Sequence, residues 1–221
     1  VTVSLAIFDL DNTLLDGDSD YLWGCFMVDH GLVERDAHEQ ANRQFHRDYE
    51  AGVLDIDAFL RFALAPLTRF SIEQLHEWRQ RFVEEVIRPI ILPAACEQVA
   101  WHRERGHTLL IITATNAFVT RPIAEALGIP NLLATEPECL GQRYTGRWIG
   151  TPTFRDGKVQ VLHDWLAHTP HSLADSWFYS DSHNDLPLLE RVARPVAVDP
   201  DQRLREVAGA RGWDIRSFRK A

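Results

Sequence analysis

Two textures of apolar residues alternate along this chain of 221 residues. In one, short apolar runs stop abruptly on polar residues. In the other, apolar residues recur at helical spacing. Val3 to Phe8 is of the first kind, and a run apolar on successive residues predicts a strand buried on both faces, as in a parallel sheet. It ends on Asp9-Leu10-Asp11-Asn12-Thr13, an acidic, turn-forming stretch. From about Asp18 to Arg88 the second texture takes over, and it predicts helices over Tyr21–His30, Arg35–Ala51, Asp57–Leu67 and Ser71–Ile87. Ser71 with Gln74 three residues on has the form of a capping box, whereas Arg35 to Ala51 is charged and has few apolar anchors. No strand pattern interrupts this region, so it reads as a small helical bundle.

Beyond Pro89 and Pro93 strands and helices alternate. Helices are predicted over Ala94–Arg105, closed by Gly106, over Phe118–Leu127, Val159–Ala167 and Asp185–Arg191, and from near Asp201. Between them fall strands over Thr108–Thr113, Asn131–Ala134, Ser176–Ser180 and Pro195–Val198, and a short one near Trp213. A hairpin is expected over Glu138–Ile149, with Gly141 and Gly146 marking turns. The pattern predicts an α/β fold: a doubly wound, Rossmann-like parallel sheet formed by residues 1–16 and 89–221, interrupted by an all-helical unit at 17–88. In such sheets ligands lie beyond the carboxyl ends of the strands.

Charge narrows the function classes. The net charge is −9 and no Lys/Arg cluster stands out, which argues against a nucleic-acid partner. An acidic protein repels anionic substrates unless positive charge is concentrated locally, and a bound divalent cation is one source of it. Cys25, Cys96 and Cys139 are far apart and lack metal-site spacing, so they read as reduced thiols in a cytoplasmic protein. The longest apolar runs are strand-length, so no membrane span is expected. The first residues lack the layout of a secretory signal.

Four polar clusters fall at predicted strand ends. Asp9 and Asp11 could face one crevice, where a divalent cation would relieve their repulsion; Asp is also a common turn former. Thr113, with Thr115 and Asn116, could donate to a phosphate oxygen or could simply cap the next helix. Lys158 opens a helix, and its worth depends on whether it points into the same crevice. Asp181 and Asp185 are plausible oxygen ligands for a hard cation, although capping would explain one of them.

In joint order these clusters resemble the haloacid dehalogenase-like hydrolases. Asp9-Leu10-Asp11-Asn12-Thr13 matches the nucleophile motif, Thr113 the strand-end Ser/Thr, Lys158 the third motif, and Asp181 through Asp185 the closing acidic motif. The helical unit after the first motif looks like the cap of the phosphoserine phosphatase-like branch. The resemblance implies a phosphatase in which Asp9 attacks phosphorus to form an aspartyl phosphate, and Asp11 serves as acid, then base. It implies Mg2+ held by Asp9, the Asp11 carbonyl and Asp181, with Asp185 in support behind them. Thr113 and Lys158 would bind the phosphoryl oxygens. Members that cleave carbon–halogen bonds lack an acid at the Asp11 position, so its presence favours phosphoester hydrolysis. Transfer to another acceptor, or a catalytically silent binding protein, are the alternatives.

The same resemblance bears on substrate. In phosphoserine phosphatases an acidic residue nine positions after the nucleophile and a cap arginine are expected to hold the amino acid. Asp18 takes the first position, but the preferred alignment puts Ala63 at the arginine and Arg61 beside it. Losing the arginine would suit a small phosphomonoester with an amine and no carboxylate, such as histidinol phosphate; if Arg61 swings in, phosphoserine remains the alternative. Most of the ten histidines, and Arg43, Arg47, Arg79 and Arg81, are expected at the surface. His183 is expected to have no direct role, and Trp23 and Trp78 to pack between helices. The oligomeric state is left open.

Overall fold

The computed structural model describes residues 4–219. Val3, expected to open the first strand, lies outside them. Six parallel strands run in the order β3-β2-β1-β6-β7-β8: β1 Leu5–Phe8, β2 Thr108–Ile112, β3 Asn131–Leu133, β6 Ser176–Ser180, β7 Arg194–Val198 and β8 Asp214–Arg216. Strand geometry sends alternate side chains to opposite faces, and the core divides accordingly. Ala6, Phe8, Leu109, Ile111, Tyr179, Val196 and Val198 pack with helices α5 (Pro93–Glu104) and α6 (Ala117–Ala126). Leu5, Ile7, Leu110, Ile112, Phe178 and Ala197 pack with α7 (Asp156–Leu166), α8 (Leu186–Leu189) and α9 (Gln202–Arg211). Helices thus cover both faces, as the unbroken apolar runs require.

Between β1 and α5 the chain forms α1 (Ser19–Asp29), α2 (Arg35–Glu50), α3 (Ile56–Leu64) and α4 (Ile72–Phe82). Asp18, Glu34, Asp55 and Ser71 cap their N-termini, and Ser71 and Gln74 form the expected capping box. The chain segments leading into and out of this region lie side by side: Leu15 bridges Ile91, and Asp16 N donates to Ile90 O at 2.8 Å. Helix α2, poor in apolar residues, is fixed to α1 by Asn42 Nδ2 donating to Tyr21 O at 2.9 Å. Gly24 makes that approach possible, because a Cβ there would stand 2.5 Å from Asn42 Nδ2. Trp23 packs against Phe26, Phe82 and Phe118, as expected of a core residue.

Two expectations need correction. Gly146 does not mark a turn: it sits at φ 79° inside β5 (Arg143–Ile149), where the pairing with β4 (Glu136–Leu140) shifts register, so it serves a bulge. Gly141 does occupy the turn. Arg79 is not a solvated surface residue; it donates to Phe118 O at 2.9 Å and lies over the Phe118 ring, docking α4 on α6. His102 is fully buried, with Nε2 2.9 Å from the Tyr179 hydroxyl. No helix among the described residues is long and apolar enough to cross a membrane.

Candidate active site

The carboxyl ends of β1, β2 and β6 converge on one crevice. Asp9 follows β1, and its N–H still donates to Tyr179 O at 2.9 Å, so the sheet ladder fixes its backbone. Lys158, in the first turn of α7, is buried, and its Nζ lies 2.7 Å from Asp9 Oδ1 and 2.8 Å and 2.9 Å from the two Asp185 oxygens. The ammonium thus donates to both carboxylates and lies within ion-pair distance of three of their oxygens. Ser180, at the end of β6, donates to Asp185 Oδ2 at 2.7 Å. Asp181 is joined to the same crevice through Thr13, whose hydroxyl lies 3.2 Å from Asp181 Oδ1 and 3.4 Å from Asp9 Oδ2. Asp11 accepts from Ser19 N at 2.6 Å and from Thr115 Oγ1 at 2.8 Å, with Thr113 Oγ1 at 3.4 Å.

Burial governs the charges here. It pushes the Asp9 carboxyl up to about 7 despite the Lys158 ammonium beside it. It also pushes Asp11 up to about 6, assisted by the Asp18 charge. Asp181 is raised by burial and then by Asp9 and Asp185. Burial alone would lower Lys158, but Asp185 and Asp9 outweigh it and raise the ammonium's pKa. Asp9, buried, and Asp181, partly buried, are therefore hard oxygen donors that repel one another, a fit for a small divalent cation. No cluster of three or more His, Cys, Asp or Glu able to hold a metal occurs among the described residues. The expected set needs no such cluster, since it combines two carboxylates with one main-chain carbonyl.

Above the crevice α1, α2 and α3 close a cavity of about 40 Å³. That is room for a few water molecules. Besides Asp9, Asp11, Thr113 and Thr115, its wall includes Asp18, Asp20, Tyr21, His46, Tyr49 and Phe59. Asp18 caps α1 through one oxygen, which accepts from Asp20 N and Tyr21 N, and its other oxygen lies 3.3 Å from His46 Nδ1. That carboxylate raises the His46 pKa. Arg61 is exposed on α3 and does not line the cavity. Phe59 takes the inward place, because two helical positions are about 200° apart.

The sequence profile of the haloacid dehalogenase-like hydrolases matches residues 6–190. The chain belongs to that family. A histidinol-phosphatase of Neisseria meningitidis is 46% identical over 98% of this chain and 99% of its own length. A phosphoserine phosphatase of Mycobacterium tuberculosis is 33% identical, over 98% of this chain and 71% of its own. Among solved structures, a protein of unknown function from Bordetella pertussis superposes with TM-score 0.93 at 43% identity, covering 99% of this chain and 100% of that one. A substrate-bound phosphoserine phosphatase gives TM-score 0.72 at 18% identity, over 99% and 94%, which speaks for the fold. The chain is a phosphatase of small phosphate esters.

Within this haloacid dehalogenase-like hydrolase, the four strand-end clusters meet at one place, and Asp18 joins them from the helical side. Arg61 does not. Sequence reasoning does not offer Asp20, Tyr21, Asn42, Phe45, His46, Tyr49 or Phe59 as cavity lining. Helical spacing could have offered Asn42, Phe45, His46 and Tyr49, which share one stripe of α2, as a group. His183 is held by Asp201, its N–H at 2.7 Å and Nδ1 at 2.8 Å.

Proposed function

We propose that this phosphatase hydrolyses histidinol phosphate, or a close relative carrying a cationic amine, a planar ring and no carboxylate. The observation that carries the reading is the composition of the cavity wall. Among the described residues that line it there are four acids, Asp9, Asp11, Asp18 and Asp20, with Tyr21, Phe45, Tyr49 and Phe59, and no Lys or Arg. A carboxylate-bearing substrate would find no fork of donors there, while an amine and an aromatic ring would find partners. The relative from Neisseria, similar along its whole length, supports the same substrate.

In the mechanism that follows, residues 17–88 act as a cap over a core of 1–16 and 89–221. Asp9 attacks phosphorus, forming its O–P bond as the bond to the leaving alkoxide breaks. Lys158 holds the Asp9 carboxylate in one orientation and takes up charge on the phosphoryl oxygens, as Thr113 does from β2. Asp11 gives its proton to the alkoxide. A carboxyl raised to about 6 still carries that proton in a useful fraction near neutrality, and Ser19 N and Thr115 hold it in place. Asp11 then takes a proton from water as water attacks phosphorus and frees Asp9. Asp185 positions Lys158. The carboxylates of Asp9 and Asp181 and the main-chain carbonyl of Asp11 would hold Mg2+, which offsets phosphate charge when bound. The cytoplasm is where such a metabolite phosphatase would work.

The test is kcat/KM for histidinol phosphate against phosphoserine, with Mg2+ and with a chelator. A preference for histidinol phosphate of about tenfold or more, abolished by chelation, is expected. A preference for phosphoserine, lost on Arg61→Ala, would overturn the reading.

A further inference from the structure

Four acids line the cavity, and three of them are engaged. Asp9 is bound by Lys158 and lies beside Thr13. Asp11 has a donor on each oxygen, Ser19 N and Thr115 Oγ1. Asp18 caps α1 with one oxygen and faces His46 with the other. Asp20 differs: it is 8% exposed, and its side chain receives one hydrogen bond among the described residues, from Asn116 Nδ2 to Oδ1 at 3.3 Å. Its other oxygen receives no hydrogen bond among the described residues. It forms no ion pair among the described residues, and burial, followed by the Asp18 and Asp11 charges, raises its carboxyl well above the usual range.

A buried acid without a counter-charge is costly to the fold, and in a substrate cavity it is matched when a cationic ligand group arrives. Building on the substrate reading above, we infer that Asp20, and not the Asp18 expected from the family pattern, is the receptor for the substrate's ammonium group. Asp20 lines the same cavity as the reacting groups Asp9 and Asp11, so an amine a few bonds from the phosphate can meet it. Asp18, by contrast, already caps α1 with one oxygen and stands 3.3 Å from His46 Nδ1 with the other. Asp18 thus builds the wall, and Asp20 reads the ligand. Selectivity of this kind is strong, because an ester lacking the amine leaves the acid unpaired.

The experiment uses two esters, histidinol phosphate and imidazolylpropyl phosphate, which lacks only the amine. The readout is the ratio of their kcat/KM values, in which any general loss of activity cancels. In the parent the ratio should favour the amine by about tenfold or more, the scale of a charged hydrogen bond. Asp20→Asn should lower the ratio about tenfold, mainly through KM, and Asp20→Glu should keep more of it. Asp18→Asn should lower it less than Asp20→Asn does. Asp20→Ser provides a second neutral variant should Asn fold poorly. A parent ratio near one would overturn the substrate reading and this inference with it. A parent preference that survives both neutral substitutions, or that falls further in Asp18→Asn, would overturn the role of Asp20 alone.

Discussion

Behind the cavity floor Lys158 is ion-paired with both Asp9 and Asp185; in the cavity wall, Asp20 keeps an oxygen that receives no hydrogen bond among the described residues. Both regions are buried and rich in carboxylates, yet their partners differ. The reacting end, built by strand ends and the first turn of α7, is matched internally before any ligand arrives. The recognising end, built by α1 and α2, is left to be matched by the ligand. The contrast fits a division in which the chemistry common to a family is preorganised and the part that selects a substrate is incomplete.

The largest test of that contrast removes the matched cation. Lys158→Met leaves Asp9 and Asp185 buried without their partner, which costs about 3–5 kcal/mol. For a chain of this size that corresponds to a fall in Tm of roughly 6–20 °C, measurable by calorimetry, with loss of turnover. An unchanged Tm would mean that the pairing contributes nothing to the fold.

Metal binding should report the same end more gently. Asp9, pushed up to about 7, must lose its proton before it can hold a cation, and Asp181 is raised in the same direction. Binding therefore releases protons, and stabilisation by Mg2+ should be small at pH 5, grow through pH 7 and level off above. Comparing Tm with and without Mg2+ at each pH cancels opposing contributions such as His102, which burial lowers to about 3. A shift equal at all pH values would show that these carboxylates do not hold the metal.

The smallest effect belongs to the unmatched end. An acid whose pKa is raised by folding contributes stability at low pH that is lost as pH rises through the folded value. Asp20→Asn should therefore leave Tm unchanged near pH 4 and raise it by a few degrees at pH 8, on the order of 1 kcal/mol. A lower Tm at pH 8 would show that Asp20 is matched in the empty protein.

The same contrast explains what could be read from sequence. An apolar run ending on Asp9 or on Asp181 is a local pattern, and the strand itself delivers the side chain to the crevice. The parallel sheet and the clusters at the ends of β1, β2 and β6 are legible for that reason, and Lys158, in the first turn of α7, through the family motif. The cavity wall was less so, because its members depend on which way each helix turns and how α2 crosses α1. Arg61 and Phe59 are both in α3, but only Phe59 faces inward. His46 enters the site through a pairing with Asp18 across 28 residues of chain, which no local pattern encodes. Gly146 was misplaced for a related reason: positive φ serves a bulge as well as a turn, and register decides between them.

The proposed phosphatase mechanism depends on Asp9 as the attacking group, and that can be observed directly. The enzyme is mixed with phosphate-labelled ester and Mg2+, quenched in acid within milliseconds, reduced with borohydride and digested. The account predicts that reduction converts the residue at position 9 to homoserine, in step with label incorporation, and that Asp9→Asn gives neither. Label on any other side chain, or full turnover with no label trapped and Asp9→Asn still active, would contradict it.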